Sequence, residues 1–316
     1  MVGIVAYYAT TYFIKTQNDI NALYIILILI LSMTSITTIL QYYNNPIGWQ
    51  MGLFINEYKD GMDEKIFNYG LYQETLLGAS YAIGIFGHPV TNAMFIAAIS
   101  PLPMFKIITC ESIIKRIIYF AIFVMGLTAC FMTQQRSAFY ILLITSIIII
   151  IYYSKNKFLL TISGVLLVTL AWSTISDIIF SEDLGRLSIS NLQTDSARQI
   201  LWANAESFIH ENLLWGGPMT FMSMNNGLPA HNFFLSAFIY SGLFGGFAII
   251  FLFLKICKDT ISIILENRHK INHALIFSIS LMVFLTQGMA HNGTLIDGEA
   301  LIFILLAASV SSHKLK

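Results

Sequence analysis

The stretch HNFFLSAFIYSGLFGGFAIIFLFL, residues 231–254, places 22 residues without a charged side chain, Phe233 to Leu254, behind a histidine and an asparagine. As a helix those residues extend about 33 Å, enough to cross a hydrocarbon core of about 30 Å. The segment therefore reads as a membrane span whose first two side chains are ones that hydrocarbon rejects. It is not alone in a chain of 316 residues that is 56% hydrophobic and 11% charged, with a mean hydropathy of +0.72. Comparable apolar runs fall at 20–40, 88–105, 117–134, 137–153, 157–178, 273–290 and 297–312. Residues 1–14 are apolar but have no basic flank before them and no small-residue cleavage site after, so they read as a short first helix or the remnant of a longer N-terminus rather than a signal peptide. The expectation is an all-α polytopic integral membrane protein with about 8 to 9 transmembrane helices. Lys and Arg total 17, as do Asp and Glu, and this balance leaves no basic surface for nucleic acid.

Charge placement orients the spans. Lys106, Lys115 and Arg116 are expected in one short loop, Lys155 and Lys157 in a tight turn, and Lys255, Lys258, Arg268 and Lys270 in a third connection. The positive-inside rule makes all three cytoplasmic. Residues 41–87, the turn near Arg136, the loop 179–230 and the turn 291–297 then face outward. This divides the chain into N-terminal transmembrane helices (1–178) with an outer segment at 41–87, a large outer loop with short helices (179–230), and C-terminal transmembrane helices (231–316). Cys110, Cys130 and Cys257 lie at cytoplasmic ends or inside a helix, with no disulfide or metal spacing.

His88, Arg136, Arg198, His231 and His291 all fall at the outer boundary, while the middles of the spans carry no Asp, Glu, Lys or Arg. Pumps and transporters place ionisable groups or broken helices near the midplane, so this distribution disfavours transport. In TQQRSAFYILLI, Arg136 has almost no loop to hold it in water. It reads either as a snorkelling anchor or, with Thr133, Gln134 and Gln135 beside it, as a guanidinium fork suited to phosphate or diphosphate. In the outer loop, TDSARQILWANAESFIHENLLWGG has Asp195 or Ser196 as N-cap and ends at Gly216 and Gly217. Helical spacing puts Leu201, Trp202, Ala205, Phe208 and Ile209 on one face and Gln199, Glu206 and His210 on another. Arg198 falls on the apolar face, three and four residues before Leu201 and Trp202, and so is read as pointing toward the protein and an anion.

His231 and Asn232 either cap the helix they open or line a cavity at the membrane surface, where an imidazole can take a proton or bond a sugar hydroxyl. Gly242, Gly245 and Gly246 suit close helix packing. His88, before Pro89 in YAIGIFGHPVTNAMF, reads as a cap or interfacial residue with a site role as the alternative. Asp177, Glu182, Asp183, Asp297 and Glu299 form no metal-ligand spacing, so no metal and no cofactor is expected.

Taken in order, GIFGHP before a span, TQQRSA opening a later one, SARQILW in the outer loop, and HNFFLSAFIYSG with ten residues between His231 and Gly242 resemble the O-antigen ligase and O-antigen polymerase superfamily over roughly residues 80–255. The resemblance implies a GT-C-like membrane glycosyltransferase of the bacterial inner membrane, with its active site facing the periplasm. Its partners would be an undecaprenyl-diphosphate-linked oligosaccharide, membrane lipid, and a chain-length regulator and flippase of the same pathway. It further implies that Arg136 and Arg198 hold the diphosphate and that His231 assists attack by the acceptor hydroxyl, with Asn232, Gln135 and His88 as substrate-binding residues. The chain departs from the family pattern at Tyr81, where members often have arginine, and at Val90, where they often have asparagine. A polymerase would pass the chain to a lipid-linked repeat unit and a ligase would pass it to lipid A core. The GIFGHP element and the apolar residues after Asn232, where ligases often carry a glutamate, favour the polymerase. A lipid-linked saccharide flippase is the reading from another class. It would show a polar lumen and internal repeats, and neither is visible.

Overall fold

The computed structural model describes residues 2–52, 82–153, 196–225, 230, 232–289 and 300–315. Every regular element among them is helical. Apolar runs of this kind leave no alternative in lipid, because a helix satisfies its own backbone groups without water. Four helices are long and apolar enough to cross a membrane: Gln17–Tyr42, Pro89–Thr109, Ile113–Met132 and Phe233–Asn267. Three more, Arg136–Tyr153, His273–Met289 and Ala300–Lys314, are apolar but shorter, at 18, 17 and 15 residues. The expected span 157–178 lies outside the described residues. The chain forms two compact units, residues 22–192 and residues 1–21 with 193–316.

In the unit 22–192, α2 (Gln17–Tyr42; α1 is Val2–Phe13) runs antiparallel to a rod made of α3 (Pro89–Ile99) and α4 (Pro101–Thr109). Pro101 has no N–H to continue the ladder. At one end of the unit the Tyr24 hydroxyl donates to the Leu102 carbonyl, and the Lys106 ammonium lies 5.0 Å from the centre of the Tyr24 ring. Helix α5 (Ile113–Met132) returns along this rod and α6 (Arg136–Tyr153) descends again, its Tyr153 ring 5.4 Å from that of Phe105. Lys106, Lys115 and Arg116, expected in a loop, are helical: they occupy the last turn of α4 and the first of α5, and the connection itself is only residues 110–112.

The opposite end of this unit is tied by polar groups with no exposure. Gln41 accepts from the Gly84 N–H at 2.7 Å and donates to the carbonyls of Gly48 (3.1 Å) and Gly84 (3.2 Å). Asn92 donates to Thr38 Oγ1 at 2.8 Å, and Thr38 donates onward to the Thr34 carbonyl at 2.7 Å. Gly84 has φ +61, and a Cβ there would lie 2.0 Å from Asn92 Oδ1. Its α-hydrogen instead faces that oxygen, which has no other partner, a weak C–H···O contact that only glycine allows.

In the other unit, α10 (His273–Met289) packs against both α9 (Phe233–Asn267) and α11 (Ala300–Lys314), and α1 lies on α11. Phe277, Leu281, Leu285 and Leu305 fill the contacts. Helix α9 departs from the expected straight span at 231–254. A continuous helix would separate Phe233 from Phe253 by about 30 Å, yet their ring centroids are 4.6 Å apart, and those of Phe238 and Phe247 are 5.3 Å apart. The chain reverses at Gly242, whose φ 64 and ψ −167 belong to glycine alone. The segment is therefore a helical hairpin with arms Phe233–Ser241 and Leu243–Asn267. The second arm is about 37 Å long, but its uncharged part ends at Leu254, and Lys255, Lys258 and Asp259 follow. Of the three glycines read as packing residues, Gly246 serves in that way, lying under the Phe238 ring, whereas Gly242 is the turn itself. Lys255 and Lys258, expected in a loop, are in the second arm. Lys255 pairs with Asp259 at 3.1 Å on an exposed surface, where such a pair contributes little.

A turn from the preceding segment fills the reversal. The Leu243 N–H donates to the Leu213 carbonyl at 2.7 Å, and the Gly217 N–H donates to the Ile239 carbonyl at 2.8 Å. Helix α7 (Ser196–Glu211) and the short α8 (Pro218–Met224) flank this turn. Leu201 and Ala205 are buried as their spacing predicts, and Phe208 packs edge-on against Phe221 at 5.5 Å.

Candidate functional site

Each unit carries part of the expected set. In the unit 22–192, α3 and α6 begin at the same end of the bundle, so His88, Gln135 and the backbone of Arg136 share that end. His88 is the N-cap of α3, with Pro89 in the first turn, and its Nδ1 accepts the Val90 N–H at 3.3 Å. That bond requires an unprotonated Nδ1, and desolvation by the surrounding protein moves the imidazole below its ordinary value of about 6.5. A neutral, capping ring with an exposed edge is suited to bonding a neutral hydroxyl and poorly suited to holding a phosphate.

The sign of the His88 shift gives a pH prediction. A folded-state pKa below the unfolded one adds stability above pH 6.5, and that stability is lost as pH falls through the folded value. Wild-type protein in detergent should therefore lose melting temperature between about pH 7.5 and 5 relative to His88→Asn, which keeps a cap acceptor but does not titrate. Equal losses in the two proteins would remove the capping account.

Gln135 is buried and donates from Nε2 to the Thr133 carbonyl at 3.3 Å. Gln134, noted in the sequence only as a neighbour of Arg136, holds φ +57, and its N–H returns to the Phe131 carbonyl at 3.0 Å, closing α5. Glycine or asparagine is the usual residue at such a helix end, and Gln134 Oε1 is buried without a partner. A strained residue with an unspent acceptor two positions before Arg136 is the kind of outlier that accumulates at functional sites. Its only sequence signal is a glutamine where a helix ends without glycine. Arg136 itself is the first residue of α6.

In the second unit Arg198 is the third residue of α7. One turn further along, Trp202 Nε1 donates to the Ala230 carbonyl at 2.9 Å. This brings the Arg198 helix to the residue preceding His231, across a separation of 28 positions, by a bond that no periodicity reveals. Trp202, read on the apolar face with Leu201 and Ala205, is 39% exposed, with its indole bonded to that carbonyl. Asn232 is the N-cap of α9, its Oδ1 accepting from Phe234 N at 2.9 Å and Leu235 N at 3.2 Å. His231 and Asp195 lie outside the described residues. Because α9 doubles back, Asn232 lies beside the second arm near Phe253 rather than at that arm's end. Gln199, Glu206 and His210 are exposed, as their spacing predicts.

No family model, curated protein or solved structure matches the chain.

Proposed function

We propose that the protein is a GT-C-like, metal-independent membrane glycosyltransferase of the O-antigen polymerase type. It would act at the periplasmic face of a bacterial inner membrane on saccharide chains carried by undecaprenyl diphosphate. The observation that supports this reading is the Trp202 to Ala230 bond, which ties SARQILW to the residue that precedes HNFFLSAFIYSG, two of the four elements of the resemblance. In the reaction, a hydroxyl of a lipid-linked repeat unit attacks the anomeric carbon of the donor chain. The new C–O bond forms as the bond to the diphosphate oxygen breaks, and the electron pair leaves with the diphosphate. His231 takes the hydroxyl proton. Arg198 and Arg136 stabilise the charge developing on the leaving group, the task a metal performs in other glycosyl transfers.

The hairpin weighs on the transport alternative. Broken helices hold ions when they present free backbone groups, but the reversal at Gly242 directs its groups to Leu213 and Gly217. The test is a gel profile of surface polysaccharide from a deletion strain, complemented with wild type or His231→Ala. Lipid A core capped by one repeat, in both the deletion and the His231→Ala strain, is the expected result. Bare core with accumulating long lipid-linked chains would assign the protein as the ligase that transfers the glycan to lipid A core. Near-normal chains from a folded His231→Ala protein would reduce His231 to a structural residue.

A further inference from the structure

We infer that the turn Leu213–Met219, expected in an aqueous outer loop, is seated in the headgroup and acyl-chain boundary of the bilayer, with Trp215 as its anchor. The first ground is composition. Between Glu211 and Lys255 the chain has no Asp, Glu, Lys or Arg, so the turn, α8, and the first arm and tip of the hairpin form one charge-free body. The second is exposure. Helix α7 spends its apolar face inside the protein, on Phe221, Ala230 and Ile239. The turn does not: Trp215 is 87% exposed, Met219 78% and Leu214 56%. Water penalises such a surface at about 25 cal/mol per Å² of apolar area, whereas tryptophan is enriched where hydrocarbon meets headgroups.

The third ground is continuity. The turn is bonded to Leu243, the first residue of the second arm, and Phe244, Phe247, Phe251 and Leu254 follow on that arm as an exposed apolar stripe at helical spacing. That stripe, which ends before the exposed Lys255, is suited to lipid. A turn whose backbone lies against Gly242, at the head of the same arm, is therefore at the membrane. The fourth is the plug itself. In water, the Leu243 N–H and the Ile239 carbonyl released by the reversal could be hydrated; in lipid they need protein partners, and Leu213 and Gly217 supply them.

The experiment leaves Trp215 as the sole fluorophore by replacing Trp49, Trp172 and Trp202 with phenylalanine. The protein is reconstituted in phosphatidylcholine and phosphatidylglycerol vesicles containing lipids brominated at shallow or deep acyl positions. Blue-shifted emission, losing about half its intensity to the shallow brominated lipid and little to aqueous iodide, is expected. Emission typical of water, quenched by iodide and unaffected by brominated lipid, would overturn the inference. Because Trp202→Phe removes a bond to Ala230, a second variant guards the result: Trp215→Cys in a background with Cys110, Cys130 and Cys257 replaced by alanine, carrying a nitroxide label. Its power saturation should respond to oxygen more than to a water-soluble nickel chelate, and the same label at the exposed Gln199 should respond in the reverse order. Equal chelate access at both positions would place the turn in water and overturn the inference. Neither readout depends on the enzymatic reading.

Discussion

Gly242→Ala unfolds the α9 hairpin and the turn docked on it. A Cβ at this position would sit 2.1 Å from the Leu214 carbonyl oxygen and 2.8 Å from the Trp215 nitrogen, both backbone atoms that cannot rotate aside. The residue also holds φ 64 and ψ −167, a region that a side chain enters only at a cost of about 1–3 kcal/mol. Relief by straightening would break the bonds from Leu243 to Leu213 and from Gly217 to Ile239 and would expose those groups to lipid. Strain and lost bonds together amount to about 3 kcal/mol or more, the upper end of what a single substitution ordinarily costs. The measurement is size-exclusion chromatography of detergent-solubilised protein over a temperature series, with limited proteolysis across residues 211–225 as the local probe. Ser241→Ala is the matched control, because it alters the neighbouring residue without adding an atom and removes only a hydroxyl bonded to the Ala237 carbonyl of its own helix, and it should stay close to wild type. If Gly242→Ala matched that control, the reversal would not be what holds the two arms together.

Under the proposed reaction, Arg136→Lys is expected to abolish chain elongation while leaving the protein folded and inserted. The substitution keeps the positive charge and the long apolar stem, so an arginine that merely snorkels to the headgroups would tolerate it. A guanidinium that grips a diphosphate with two parallel N–H donors would not, since an ammonium offers a single point of charge. Losing one preorganised donor to a developing oxyanion costs about 100- to 1000-fold in rate. In vitro conversion of lipid-linked repeats to longer chains by reconstituted protein should fall by that factor, with Arg136→Ala no less affected. Activity within about threefold of wild type in the lysine variant would return Arg136 to an anchoring role and would weaken the proposed reaction with it.

The positions of the helices were legible because bilayer thickness dictates run length: 20–40 became Gln17–Tyr42, and 273–290 became His273–Met289. His88 as a cap was also legible, since proline in the first turn marks the residue before it. The hairpin was not, because hydropathy reports how much apolar sequence there is and is blind to its direction. Gly242 was one of three glycines in an apolar run, and what distinguishes it is a turn more than 20 residues upstream. The bond from Gln41 to Gly84, across 43 positions, is hidden for the same reason. On α7, spacing found the buried Leu201, Ala205 and Phe208, but the edge residue Trp202 is placed by its partner at Ala230 rather than by its period.

The plug at Gly242 also sets an order of events during synthesis. At about 5–20 residues per second, the turn carrying Leu213 and Gly217 leaves the ribosome roughly one to six seconds before Leu243 does. The partners of the reversal are thus present before the reversal is made. The nascent hairpin closes onto groups already waiting for it, and its two arms never have to be held apart as separate crossings of the membrane.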